Sequence, residues 1–311
     1  MSELHIRVLL NEVVDAFSNL SGRQDLIYMD GTYGRGGHFR ALLDKYRFAK
    51  AYIVDQDLQA VARAKQDWPT EIGAGRFAVF HGNFMEFTEQ LKHDVQFDMI
   101  LLDLGVSSPQ LDEGARGFSF NKDGPLDMRM NQAQELTAAK IVNEYDEDEL
   151  FNVFKAYGEI QNPARVVRAI LKDREEKPFV STLQLAQMIE RVDGWHKKGF
   201  HPATQYFMAL RLVVNRELEV VARVLPMLIS KLRDQGRLAV ISFHSLEDRL
   251  VKNLFKESTD GFAVYKKVIV PSENECKINV RARSAKLRVF QKGLAPEKPD
   301  KFALRRAQRI E

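Results

Sequence analysis

Four glycines within seven residues mark the stretch Asp30-Gly31-Thr32-Tyr33-Gly34-Arg35-Gly36-Gly37-His38. A glycine has no Cβ, so the backbone can turn sharply and come close to a ligand. The helix start that follows offers unpaired N–H groups to polar ligand atoms. That is the chemistry of nucleotide-type cofactor binding. Asp55, in Asp55-Gln56-Asp57, follows the glycine loop by about 20 residues, where an acid can accept hydrogen bonds from ribose hydroxyls. Asp57 suits an N-cap for a helix beginning at Leu58. Loop and acid together indicate an adenosine-containing cofactor, either NAD or S-adenosylmethionine.

A third run, Asp103-Leu104-Gly105-Val106-Ser107-Ser108-Pro109-Gln110, ends an apolar strand, where open α/β sheets place their ligands. Its glycine, serines and proline are turn formers, but turn propensity does not account for a strand-end acid followed by several polar side chains. The arrangement suggests methyl transfer to an exocyclic amine. Such an amine is a poor nucleophile, because its lone pair is delocalised into the ring. A backbone carbonyl near Ser108-Pro109, a serine hydroxyl or Asp103 could hold the N–H and localise that lone pair, and in-line positioning then supplies much of the rate. Just beyond, Phe118 and Phe120 beside Arg116 and Arg129 could stack a flipped base and hold a phosphate, or the two aromatics could anchor a hydrophobic core. His244-Ser245 lacks the Gly-x-Ser-x-Gly elbow of a catalytic serine, and Ser245 reads as an N-cap with Asp248 at N3. The seven histidines show no ligand spacing, so no metal site is expected. Arg281 and Arg283, in a stretch alternating basic and small residues, are candidate RNA-backbone contacts.

These residues need a scaffold. Leu26-Ile27-Tyr28-Met29, Ala51-Tyr52-Ile53-Val54, Phe77-Ala78-Val79-Phe80 and 97–103 read as strands, and 39–45 and 58–68 as helices. Strands alternating with helices imply a parallel α/β sheet. Apolar spacing predicts a further helix over 7–17. After a long loop, 104–130, the pattern turns helical. Helices are expected at 137–145, from the capping box Asp146/Glu149 to about Gly158, from Pro163, from the capping box Ser181/Gln184, and as one longer helix from Pro202 through Val221. A helix at 226–232, a turn at Asp234-Gln235-Gly236, a strand at 237–243 and closing strands at 264–270 and 285–290 follow. The chain is thus read as a sheet domain over 1–110 and 207–311, interrupted by an all-helical insertion over 111–206.

Composition bounds the rest. At 45% hydrophobic and 29% charged, wholesale disorder is excluded. A single cysteine, Cys276, rules out an intrachain disulfide and a thiolate zinc cluster, and fits a reducing, cytoplasmic setting. Neither a secretory signal nor a membrane span is expected. The net charge is +3. From Lys277 onward, eleven basic residues face three acidic ones, a local charge of +8 that leaves the remainder at −5. A basic tail on an acidic body suggests a polyanion partner.

Taken in order, residues 30–38, 81–84, 101–130, 157–159, 201–204, 241–252 and 281–288 resemble the bacterial small-subunit ribosomal RNA cytosine-N4 methyltransferases of the RsmH/MraW family. The resemblance implies a Rossmann-like methyltransferase sheet with the helical insertion serving substrate recognition. It implies S-adenosylmethionine as cofactor, and N4 of a cytidine in the decoding centre of 16S ribosomal RNA, within the small subunit, as target. Carried over by motif, Gly36, Gly37, His38, Asp55, Phe84, Asp103 and Gln110 are expected at the cofactor. Asp103, Ser107, Ser108 and Pro109 are expected at the reacting amine, by likeness to the Ser/Asp-Pro-Pro-aromatic loop of amino-methyltransferases, although Gln110 stands where a second proline would be. Arg116, Phe118, Phe120, Arg129, Arg281 and Arg283 are expected at the RNA. A monomer or weak dimer, with neither metal nor membrane partner, completes the expectation. The chain departs from the family pattern at Arg7, where proline usually precedes Val8-Leu9-Leu10, and at Val280, where the tail motif often has proline. The competing readings are a DNA amino-methyltransferase with the same cofactor, an NAD-linked oxidoreductase, and a ribosome-assembly factor that binds without catalysis.

Overall fold

The structure is a computed structural model that describes residues 7–106, 108–195 and 200–295. Its centre is a seven-stranded sheet of β1 (Leu26–Asp30), β2 (Phe48–Asp55), β3 (Phe77–His81), β4 (Phe97–Asp103), β5 (Leu232–Ser242), β6 (Gly261–Ala263) and β7 (Lys286–Lys292), in the order β3-β2-β1-β4-β5-β7-β6. The first five strands are parallel, and β7 runs antiparallel between β5 and β6. The chain winds outward from β1 in one direction and from β4 in the other. The strand order therefore switches between these two, and a doubly wound sheet opens its ligand crevice at their carboxyl ends.

The helices among the described residues are α1 (Leu10–Ala16), α2 (Gly37–Lys45), α3 (Leu58–Asp67), α4 (Pro69–Gly73), α5 (Phe84–Gln90), α6 (Ser108–Asp112), α7 (Ala138–Glu144), α8 (Glu147–Tyr157), α9 (Ala164–Glu176), α10 (Thr182–Asp193), α11 (Ala203–Val214), α12 (Glu217–Ser230), α13 (Ser245–Glu257) and α14 (Glu273–Ile278). Side chains alternate across the sheet. Tyr28, Ile53, Leu101 and Ile241 face α1 and α2, whereas Met29, Val54, Leu102 and Val240 face α5, α12 and α13. Between β4 and β5 a third apolar cluster, including Phe118, Leu126, Phe154, Ile170, Leu185 and Leu210, belongs to the helical segment itself.

Several expectations change. The long helix from Pro202 breaks at Arg216, which adopts φ 50°. Asn215 explains the break: its Oδ1 accepts from Met130 N at 2.8 Å and its Nδ2 donates to Met128 O at 2.8 Å, pinning the turn to the long loop. Pro226 then lies inside α12 rather than opening a helix. The turn at 234–236 is a bulge within β5: Phe97 pairs with Leu232 but Met99 with Arg237, so the extra residues loop out at Gln235, where φ is 63°. The strand expected over 264–270 is replaced by short β6. Ala263 pairs with Phe290 while Ile269 pairs with Leu287, so six steps on one side oppose three on the other and the ladder breaks. Ser181 does cap α10, but Gln184 reaches back to Val180 N rather than to Ser181 N.

Candidate active site

The tips of β1, β2 and β4 are sewn together by the glycine loop. Gly31 N donates to Leu101 O at 2.9 Å and Tyr33 N to Val54 O at 3.2 Å. Thr32 Oγ1 accepts from Asp103 N at 2.6 Å. A Cβ at Gly31 would collide with the Leu102 side chain and stand 3.3 Å from Phe84 Cβ, so glycine is required by close packing. Gly36, at φ 68°, turns the chain into α2. Phe84 opens α5, whose capping box is Asn83 with Glu86, and packs beside this loop.

Asp55 organises the loop from its far side. Its carboxylate accepts from Gly34 N and Asp57 N, both at 2.8 Å. Burial lifts its pKa to about 6, against those N–H groups, which lower it. Asp57 caps α3 through Gln59 N at 2.9 Å. It also receives Gln110 Nε2 at 3.0 Å and Arg116 Nη1 at 2.9 Å, and so ties the segment after β4 to the end of β2.

Asp103 and His38 face each other across the crevice, with Oδ2 and Nδ1 3.6 Å apart. His38 Nε2 stands 2.9 Å from Val8 O. A carbonyl only accepts, so Nε2 carries the hydrogen and Nδ1 is left bare when the ring is neutral. Burial lowers the His38 pKa. Burial, then the nearby Glu247, lifts Asp103 to about 7. Asp30 is likewise pushed up by burial to about 7. Asp103 Oδ1 is buried with no hydrogen-bond partner. An unpaired buried carboxylate oxygen is costly, and a ligand ammonium or amine N–H would relieve that cost. This orphaned acceptor, beside a loop shaped by glycine, is the observation on which the residues fit a nucleoside cofactor with a cationic end.

The expected cofactor positions Gly36, Gly37, His38, Asp55, Phe84, Asp103 and Gln110 converge on this switch point. Ser107 lies outside the described residues, as do the side chains of Ser108 and Pro109, whose backbone begins α6. The arginines expected at a substrate take other work. Arg116 is 7% exposed; it pairs with Asp57 and donates to the carbonyls of Arg129 and Met130, so it is not free to hold a phosphate. Arg129 grips Asp127 in a bidentate pair at 2.8 Å and donates to Gln132 O and Gln134 O. Phe118 is buried in the insertion's core, the anchoring alternative of the sequence reading. Phe120 is half-buried, with its ring 4.6 Å from His201 and 4.9 Å from Phe207. Arg281 and Arg283 are exposed on a 3-10 turn after α14, Arg281 reaching Asp112 at 2.6 Å.

Sequence reasoning missed Thr32, Val8 and the group behind Asp103. His244, not Ser245, caps α13 through Glu247 N, and Glu247 lies 1% exposed with its Oε1 3.0 Å from His244 Nε2. Ser245 Oγ instead meets Glu159, which adopts φ 51° after Gly158 and also holds Arg249 at 2.9 Å. The spacing His244-x-x-Glu247, a polar residue with an acid at N3, carried the signal for the cap. Among the described residues no group of three or more His, Cys, Asp or Glu could hold a metal ion, and no helix is long and apolar enough to cross a membrane.

Comparison with known proteins finds a match to the MraW methylase family over residues 2–293. The chain is 58% identical to a ribosomal RNA small subunit methyltransferase H of Bdellovibrio bacteriovorus, covering 94% of this chain and 89% of that protein. Proteins of the same name are 42% identical in Shewanella frigidimarina (93% and 97% covered) and 43% identical in Legionella pneumophila strain Corby (93% and 98% covered).

Proposed function

The chain belongs to the MraW methylase family, and from that premise we propose that it methylates N4 of a cytidine in the decoding centre of 16S ribosomal RNA, using S-adenosylmethionine. The observation that carries the reading is the 58% identity, over nearly the whole chain, to a small-subunit ribosomal RNA methyltransferase. The polar crevice at the β1/β4 switch point supports the cofactor, and the exposed Arg281 and Arg283 support an RNA partner.

When bound, the cofactor supplies an electrophilic methyl group. Gly36, Gly37 and the backbone of the glycine loop hold its polar end, Asp55 its ribose and Phe84 the adenine region. Asp103 Oδ1 accepts from its ammonium group or from the N–H of the target amine. The segment opening α6, with Ser107, Ser108 and Pro109, orients that amine, so that its lone pair points at the methyl group rather than into the ring. No strong base is required, because the amine becomes acidic once methylated and its proton can pass to water or to a nearby carboxylate. The helical insertion, 111–206, presents the RNA to the crevice.

The test is incubation of labelled S-adenosylmethionine with small subunits from a strain lacking the protein, followed by nucleoside analysis. Label in N4-methylcytidine is the expected result. Label in another nucleoside overturns the target, and label in duplex DNA but not in the small subunit favours the DNA amino-methyltransferase.

A further inference from the structure

Arg7 lies across the start of α2. A Cβ at Gly37 would collide with the Nε, Cδ and Cγ of Arg7, so the side chain rests flat on a backbone that only glycine leaves bare. Glu275, whose Oε1 accepts from Leu9 N at 2.8 Å, brings a carboxylate into the same neighbourhood without forming an ion pair with Arg7. Arg7 has no hydrogen bond or ion pair among the described residues, whereas Arg40, one turn further along α2, is paired with Asp67. The start of α2 carries the positive end of the helix dipole. His38 stands next to it. Burial is the main cause of that ring's lowered pKa, and the Arg7 charge pushes in the same direction. A guanidinium lying on a helix N-terminus is placed to receive an anionic ligand group.

The neighbourhood has a second, opposite pole. His38 touches Val8 O, next to Arg7, on one side and faces Asp103 on the other. Asp103 Oδ1 is buried without a partner. A cation and a carboxylate oxygen, each without a partner among the described residues, thus flank one imidazole at the mouth of the glycine loop. That is the pattern required by a zwitterionic amino-acid group, with its ammonium on Asp103 and its carboxylate on the cation.

We propose that Arg7 is a cofactor-binding residue whose guanidinium takes the α-carboxylate of the methionine portion of S-adenosylmethionine. The inference rests on the cofactor reading above and adds a charged contact to it. Arg7 acts on binding, not on the methyl group, so it belongs in the dissociation constant rather than in the chemical step.

Titration calorimetry of the full chain with S-adenosylmethionine and with its decarboxylated analogue separates the possibilities, using wild type, Arg7→Ala and Arg7→Lys. Losing one partly exposed charge-assisted contact should weaken S-adenosylmethionine binding roughly tenfold in Arg7→Ala. Arg7→Lys, which keeps the charge but loses the planar fork, should recover part of it. Binding of the decarboxylated analogue should be the same in all three. Equal weakening of both ligands would make Arg7 a support for the loop and overturn the proposal. Unchanged binding of S-adenosylmethionine by Arg7→Ala would overturn it while leaving the cofactor reading intact. Failure of the wild type to bind either ligand would overturn both.

Discussion

Asp103→Asn should make the cofactor-free protein more stable and the cofactor weaker in binding. The two effects have one cause. In the folded chain the Asp103 carboxyl is lifted from 3.8 to about 7, first by burial and then by Glu247. A raised carboxyl pKa means that the folded state resists ionisation. Below pH 3.8 the group is protonated in both states and costs nothing. Above about pH 7 it is ionised in both and the full penalty applies. Stability is therefore lost as pH rises through this window. Lifting the carboxyl from 3.8 to about 7 corresponds to at most ~4 kcal/mol. With 28% of the side chain open to solvent, water screens much of that, and ~1–3 kcal/mol is the realistic range.

Asparagine cannot ionise, so the variant escapes the penalty. Urea unfolding of both proteins without cofactor should give nearly equal stabilities near pH 4. The gap should widen with pH, reaching ~1–3 kcal/mol in favour of Asp103→Asn at pH 8. Asp30, lifted to about 7, and Asp55, lifted to about 6, push stability the same way. Both remain in the variant; the Asp103 charge also helps to raise Asp30, so the difference between the two proteins reports Asp103 together with its coupling to Asp30. Calorimetry on the same samples should show S-adenosylmethionine binding weakened more than tenfold, a loss of ~1.5–3 kcal/mol for a hydrogen bond to a charged group. Parallel pH–stability curves would refute the buried-charge account. Unchanged cofactor affinity would remove Asp103 from the ligand.

Gly31→Ala should cost ~1–3 kcal/mol by overpacking, because its Cβ would run into Leu102; thermal unfolding checks it. Arg116→Ala should cost ~3–5 kcal/mol, because it strips the buried Asp57 of its ion pair. A phosphate-holding Arg116 would instead leave stability unchanged and weaken only RNA binding. Arg281→Ala and Arg283→Ala should leave the fold intact and weaken small-subunit binding, each lowering the slope of log affinity against log salt by ~1; filter binding at several salt concentrations tests this.

The sheet was legible in the sequence because its strands are local and strongly patterned. Met99 to Leu102 is an unbroken apolar run, buried throughout, and Asp146 with Glu149 announces α8 by a reciprocal cap that the structure contains. What could not be read depends on distant partners. The break at Arg216 is imposed by Asn215 bonding to Met128 and Met130, more than eighty residues away in sequence. Periodicity continues through that point, since Val214, Leu218 and Val221 still share a helical spacing. The bulge at Gln235 and the interrupted ladder at 264–269 are register effects, set by pairing with β4 and β7.

The same distinction governs the site. Glycine and acid positions at strand ends are fixed by topology, so Asp55 and Asp103 fall at the crevice once the strand order is known. What engages the arginines is not legible in the sequence, because a guanidinium reads as a phosphate ligand until its partner is visible. Arg116 meets Asp57 across 59 residues, and Arg129 folds back on Asp127 only because the loop doubles over, with Met128 at φ 64°. A cation's availability to a substrate is thus a property of what the fold leaves unpaired. By that standard the guanidinium to pursue at the crevice is Arg7, which holds no partner among the described residues, rather than the two arginines that sequence proximity put forward.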